Sequence, residues 1–274
     1  MVECRGLLNL RTSTCWFRGF ESRPPRKACS SSVYVDEHEI AWAAGFFEAE
    51  GTACSSQRRD RPSRERNMAV YQGGRAAIPE ALLRFHGAVG GRGNITGPYR
   101  DRLFHWSTKK NAAFDEVMAL MWPWLTEWKR GQLRTATVTA GRKMPPACAD
   151  GADAPPTLRS TQLAWVAGFF DGEGYIGASG APGRRTIEMS IGQASTDTVP
   201  VTLARVAAVL GVGNLRGPRT MANAWSKLPQ YVWRANAFGD VQFAVAMLWR
   251  WLGPVKRAQA REALLRYQAL GRAA

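Results

Sequence analysis

Histidine is scarce in this chain. Three residues (His38, His86 and His105) in 274 are scattered without ligand spacing, which excludes a histidine-built metal centre and leaves each as an ordinary surface or packed residue. Cysteine is also sparse and odd in number, five with no Cys-x-x-Cys pair, which argues against a disulfide framework and a structural zinc site. The expected setting is therefore intracellular and reducing, with cytoplasm, nucleoid or organelle left open. No apolar run approaches the roughly 18 residues that a membrane span needs, so no membrane partner is expected. Negative charge is short: 22 Asp and Glu face 37 Lys and Arg, a net charge of +15. Such an excess implies a polyanionic partner, most simply a nucleic acid backbone, bound less tightly as salt rises. What is plentiful is core material, since 45% of the residues are hydrophobic, with 11 Trp and 11 Phe, a composition that excludes a disordered chain.

One stretch occurs twice. Residues 40 to 51 read Ile-Ala-Trp-Ala-Ala-Gly-Phe-Phe-Glu-Ala-Glu-Gly and residues 163 to 174 read Leu-Ala-Trp-Val-Ala-Gly-Phe-Phe-Asp-Gly-Glu-Gly, so the chain is two similar halves in tandem. Small residues at Ala41, Ala44, Gly45 and Ala49, and at Ala164, Ala167, Gly168 and Gly172, fall on one helical stripe. A stripe that small lets another helix approach closely, and each copy is the natural partner of the other. Phe46, Phe47, Phe169 and Phe170 are expected to root each helix in its own half. Gly51 and Gly174 are expected to end the helices in left-handed turns.

Glu50 and Glu173 precede those glycines. An acid at a helix C-terminus is at the disfavoured end of the dipole, and two such ends side by side would repel further, a repulsion that a bound divalent cation relieves. Solvated helix ends are the alternative for a single copy; repetition at the same motif position favours a paired carboxylate site. Glu48 and Asp171 lie about 200° round the helix from them and are assigned a supporting or capping part.

The two copies resemble the defining motif of the LAGLIDADG homing endonucleases, matched by Ala43-Ala44-Gly45-Phe46-Phe47-Glu48-Ala49-Glu50-Gly51 and Val166-Ala167-Gly168-Phe169-Phe170-Asp171-Gly172-Glu173-Gly174. The resemblance covers residues 36 to about 270. It implies an α+β fold: two tandem αββαββα domains, residues 36 to 140 and 161 to 274, forming a pseudo-two-fold saddle of antiparallel sheets, with residues 141 to 160 as linker. It further implies a monomeric, site-specific endonuclease that cuts double-stranded DNA across the minor groove with Mg or Mn. The metal-binding role falls on Glu50 and Glu173. Lys129 and Lys256, in the repeated Trp-Leu-x-x-x-Lys-Arg-x-Gln segment, match the family's lysine near the phosphate, and Gln72 and Gln193 match its central-strand glutamine less closely. Glutamate stands where the family often has aspartate; the charge is kept, so metal binding should survive. An RNA-binding intron maturase and a non-cleaving DNA-binding protein remain alternatives on the same fold, although the second would be expected to have lost an acid.

Basic residues cluster where hairpins are predicted: Arg58, Arg59, Arg61, Arg64 and Arg66 after the first motif, Arg184 and Arg185 after the second, Arg100 and Arg102 in the first half's second hairpin, and Arg219, Lys227 and Arg234 in its counterpart. These are the candidate DNA-binding residues. Strand side chains alternate between faces, so one face can pack under helices while the other enters the major groove. The unequal insertions in the two halves imply an asymmetric target. Residues 1 to 35, with Pro24-Pro25 and Ser30-Ser31-Ser32, predict a flexible leader. Its origin stays open between a transit peptide and an overextended start, because Phe20-Glu21-Ser22-Arg23-Pro24 matches a translated transfer RNA T-arm.

Overall fold

In the computed structural model of the protein the described residues are 36–57, 63–74, 77–148, 158–181, 183–196, 198–219 and 228–272. The expected leader lies outside them. Each half opens on its motif helix, α1 (Glu37–Glu50) and α5 (Arg159–Glu173). Asp36 caps α1, accepting from the His38 amide at 2.9 Å, with Glu37 and Glu39 at the favourable end of the dipole. Beyond that first turn the helix has no polar stripe. Every residue from Ala41 to Glu48 is buried, as is every residue from Leu163 to Phe170, which is the pattern of a helix packed on all sides.

Four strands and a helix follow in each half: β1 (Gly51–Gln57), β2 (Arg64–Gly73), α2 (Glu80–Ala88), β3 (Asn94–Tyr99) and β4 (Leu103–Thr108), then β5 (Gly174–Ser179), β6 (Thr186–Ala194), α6 (Val201–Leu210), β7 (Asn214–Arg219) and β8 (Gln230–Ala235). The strands form two antiparallel sheets of order β1-β2-β4-β3 and β5-β6-β8-β7. Met68, Val70, Phe104 and Trp106 of the first sheet and Met189, Ile191, Tyr231 and Trp233 of the second are buried, so one face of each sheet carries the helices and the other is open. This is the expected αββαββα order, with one refinement. The last helical stretch of each half is divided, into α3 (Asn111–Met121) and α4 (Glu127–Thr139) and into α7 (Phe238–Leu248) and α8 (Pro254–Arg272). Proline at 123 and 254 cannot continue a helix from the preceding turn, and Thr126 restarts α4 as its cap.

The halves meet through α1 and α5, and the small-residue stripe decides how closely. A Cβ added at Gly45 would overlap the Trp165 carbonyl, and one at Gly168 would overlap the Trp42 carbonyl. Backbone therefore touches backbone at two symmetric points, which only glycine permits. Phe46 and Phe47 pack on Phe85, whose edge meets Trp106 at 4.9 Å between centroids, so α1 is anchored in its own half as its phenylalanine pair predicts.

Two arginines on α2 and α6 tie the halves together. Arg84 stacks over Trp42 at 4.1 Å, donates to both Glu39 oxygens at 2.8 and 2.7 Å, and reaches the Trp251 carbonyl of the other half at 2.5 Å. Arg205 repeats the arrangement: over Trp165 at 3.9 Å, to Gln162 Oε1 at 2.9 and 2.7 Å, and to the Trp124 carbonyl at 2.9 Å. The second clamp has a neutral amide where the first has a carboxylate. Burial pulls the Arg205 pKa down to about 10, a fall opposed by Glu48.

Candidate paired-carboxylate site

The motif helices run straight into β1 and β5. Gly51 and Gly174 do not adopt the expected left-handed turn; both are extended, at φ −81° and −75°. Glycine is required there for room instead, because a Cβ would strike the ring of Phe47 or Phe170. The chain thus leaves the helix directly as a strand, and Glu50 and Glu173 sit at the junction of motif helices and sheets. Glu50 lies against the opposite helix: a Cβ at Gly172 would come within 3.1 Å of its Cγ.

The two acids share one electrostatic environment. Burial, then the Glu173 charge, push the Glu50 carboxyl up to about 7, against opposition from a Gln72 hydrogen bond and from Lys256. Burial likewise raises Glu173, with Lys129 and Lys256 pulling it down. Each lysine is held by the first residue of its own sheet, Lys129 Nζ donating to the Gly51 carbonyl at 2.7 Å and Lys256 Nζ to the Gly174 carbonyl. Desolvation lowers both lysine pKa values, with Glu48 and Glu173 opposing it at Lys129 and with Asp171, Glu50 and Glu173 opposing it at Lys256. The structure therefore gathers Glu50, Glu173, Lys129, Lys256 and Gln72. Gln193 differs from Gln72, since its side-chain oxygen accepts from the Thr202 hydroxyl, so the two halves of the site are not equivalent.

Glu48 and Asp171 take the capping part assigned to them. Glu48 accepts from the backbone amide of Thr126 and, at 3.1 Å, from its hydroxyl, at the start of the helix that carries Lys129. Asp171 accepts from the Gly253 amide at 3.0 and 2.8 Å, just before the helix that carries Lys256, and from Trp42 Nε1 of the other half at 2.8 Å. Each motif helix thus fixes the lysine-bearing helix of its own half.

No group of three or more His, Cys, Asp or Glu able to hold a metal occurs among the described residues. Two carboxylates still fit a magnesium-type ion, which prefers one or two carboxylates supplemented by water and substrate phosphate to an all-protein cage. Burial and the nearby Glu173 charge, which together raise Glu50, mark a place where a cation would be favoured.

The arginines divide by face. Arg66 is a correction: it is 2% exposed, bound to Asp115 at 2.7 Å and stacked over Phe114 at 4.4 Å. It shares strand parity with Met68 and Val70, so it points under the helices. Arg64 follows the same parity and is exposed, donating to Ser55 at 3.3 Å. Arg185 is exposed, with its guanidinium over Tyr267 at 4.3 Å and donating to the Tyr267 carbonyl at 3.0 Å, which ties the hairpin tip to α8. Arg184 is exposed at that tip. Arg100 and Arg102 are exposed at the β3–β4 turn, where Arg100 and Asp101 have positive φ of 49° and 60°. Arg219 and Arg234 lie on the open face of the second sheet, by register with Gln230 and with Ser190 and Asn214. Arg58, Arg59, Arg61 and Lys227 fall outside the described residues. Sequence reasoning missed Arg216, which the alternation with Asn214 puts on that open face, and it missed the Arg84 and Arg205 clamps, for which no local signal exists.

A comparison with protein-family models finds no match, and a comparison with curated proteins finds none either. Solved structures do match. The chain is similar to the LAGLIDADG homing endonuclease I-GzeII in complex with its DNA target (12% identity, 81% of this chain and 87% of that one, TM-score 0.54). It is similar to the meganuclease I-SmaMI bound to uncleavable DNA (14%, 84% and 96%, TM-score 0.52) and to the LAGLIDADG meganuclease I-AabMI bound to uncleaved DNA (12%, 84% and 91%, TM-score 0.56). Two antiparallel four-stranded sheets flanking a closely packed pair of motif helices, in a chain that spans most of each of these proteins, give this protein the two-motif LAGLIDADG homing endonuclease fold.

Proposed function

We propose that the protein is a site-specific endonuclease that hydrolyses both strands of a long, asymmetric DNA target with a divalent cation, magnesium or manganese. The observation that carries this reading is the convergence of one glutamate and one lysine from each half at the seam between the sheets. A catalytically idle descendant would have no reason to keep these four charges together, of which the two acids disfavour each other.

The geometry supports the following roles. Glu50 and Glu173 would hold the cation, which when bound lowers the pKa of a water and neutralises charge on the phosphate. Lys129 and Lys256, fixed by the Gly51 and Gly174 carbonyls, add positive potential where a phosphodiester gains charge during attack. Gln72 orients Glu50 through its hydrogen bond. The sheets spread from the acids along β1 and β5, and β2, with ten residues, is about 33 Å long, close to one turn of duplex at roughly 34 Å. The net charge of +15 suits this partner. The similar solved structures hold DNA, and a single chain carrying both motifs would act as a monomer.

The test is cleavage of a duplex selected from a randomised pool. Glu50→Gln and Glu173→Gln are expected to abolish double-strand cutting in Mg while binding, measured in Ca, stays within a few-fold of wild type. Full cleavage by both variants would refute the assignment.

A further inference from the structure

The open faces of the two sheets are chemically unlike. On the first, the register aligns Tyr71 with His105 and His105 with Thr96, and the side chains join: His105 lies 5.3 Å from the Tyr71 ring and 5.2 Å from the Tyr99 ring, while Thr96 bonds the Tyr99 hydroxyl at 3.2 Å. Tyr71 and Tyr99 are 41% and 47% exposed. By strand parity the described outward positions of this sheet include Glu65 and no lysine or arginine. Burial and the Lys109 charge hold His105 below its ordinary pKa, which favours the neutral ring.

On the second sheet the equivalent line is Gly192, Val232 and Arg216, with Arg219 beyond the bulge. Arg216 and Arg219 are exposed and have no ion-pair partner among the described residues. Arg234 on the same face is paired with Glu188 at 3.1 Å, which leaves the two β7 arginines as the free forks of this face. Arginine matches the O6 and N7 acceptors of guanine, whereas apolar and aromatic groups match the thymine methyl.

Resting on the reading of the protein as one that recognises duplex DNA, we infer that its two half-sites differ in base composition in a fixed sense. The second sheet selects guanines through Arg216 and Arg219, and the first selects A·T pairs through the Tyr71–His105–Tyr99 platform and the neighbouring Leu103.

The full chain would be used to select bound duplexes from a randomised pool in Ca, so that the outcome does not depend on cutting. The wild type is expected to enrich one half-site with guanines and the other with A·T pairs. Arg216→Ala or Arg219→Ala should each lose roughly 10- to 100-fold of the guanine preference at one or two adjacent positions, leaving the other half-site unchanged; Tyr71→Ala should do the converse. Half-sites of equal composition would overturn the inference. So would arginine variants that weaken binding uniformly across sequences, which would make these residues phosphate contacts. Failure to enrich any sequence would remove DNA recognition along with it. Enrichment in the expected sense without cleavage in Mg would remove the endonuclease reading and leave this one standing.

Discussion

Replacing Glu50 with glutamine should make the metal-free protein more stable while removing its activity. The native carboxyl is pushed up to about 7 from an ordinary 4.5 by burial and by Glu173, so the folded protein holds a proton that the unfolded chain has already lost between those values. The unfolded state then binds fewer protons, and stability falls as pH rises through that window, with the full penalty present above about 7. At about 1.4 kcal/mol per pH unit the gap corresponds to roughly 3 kcal/mol for a group shielded from water. Glu50 is only partly buried, and solvent screening reduces this to about 1–2 kcal/mol. For a chain of this size that is a rise of about 2–8 °C in Tm. Thermal unfolding in EDTA at pH 8 should show Glu50→Gln melting above wild type, and at pH 4, below both values, the two should nearly coincide. Excess Mg should raise the Tm of wild type more than that of the variant, because a ion that binds only the native state stabilises it by mass action. Equal melting at pH 8, or the same gain at both pH values, would refute the claim that burial and the neighbouring Glu173 disfavour the Glu50 carboxylate in the folded protein.

Other outcomes follow from the same structure. Gly45→Ala and Gly168→Ala each force a methyl into a carbonyl and should lower stability by about 1–3 kcal/mol, read from the denaturant midpoint. Arg66→Ala removes a buried charged donor from Asp115 and should cost about 1.5–3 kcal/mol without changing the salt dependence of DNA binding, whereas removal of an arginine that contacts phosphate should reduce the slope by about one. Arg84→Ala and Arg205→Ala should each lose about 1.5–3 kcal/mol for hydrogen bonds from a charged donor, in chemical denaturation at constant pH.

The parts legible in the sequence were those written in a local period. The small-residue stripe announced a close helix contact, and its duplication announced a second helix to make it; the glutamates and lysines followed because they stand at matched places in both copies. Charge density marks the arginine clusters but not the face each residue takes. Arg66 alternates with Met68 and Val70, so its burial is readable in the strand period only once the inward face is known. Gly51 and Gly174 were understood as necessary but for the wrong reason, because the obstacle is an aromatic ring one turn back and not a dihedral angle. The clamps of Arg84 and Arg205 join segments remote in sequence, and no pattern within a window reports them.

The backbone contact at Gly45 and Gly168 has a consequence for engineering. Since each half offers its neighbour a main-chain surface at the closest point, a foreign half with glycine at that place would find the same carbonyl waiting, whatever side chains it brought. Hybrid proteins joined at this seam would then depend on the arginine clamps, the Asp171 bond to Trp42 and the His38 bond to Ser160, identity-dependent contacts that a graft has to carry with it.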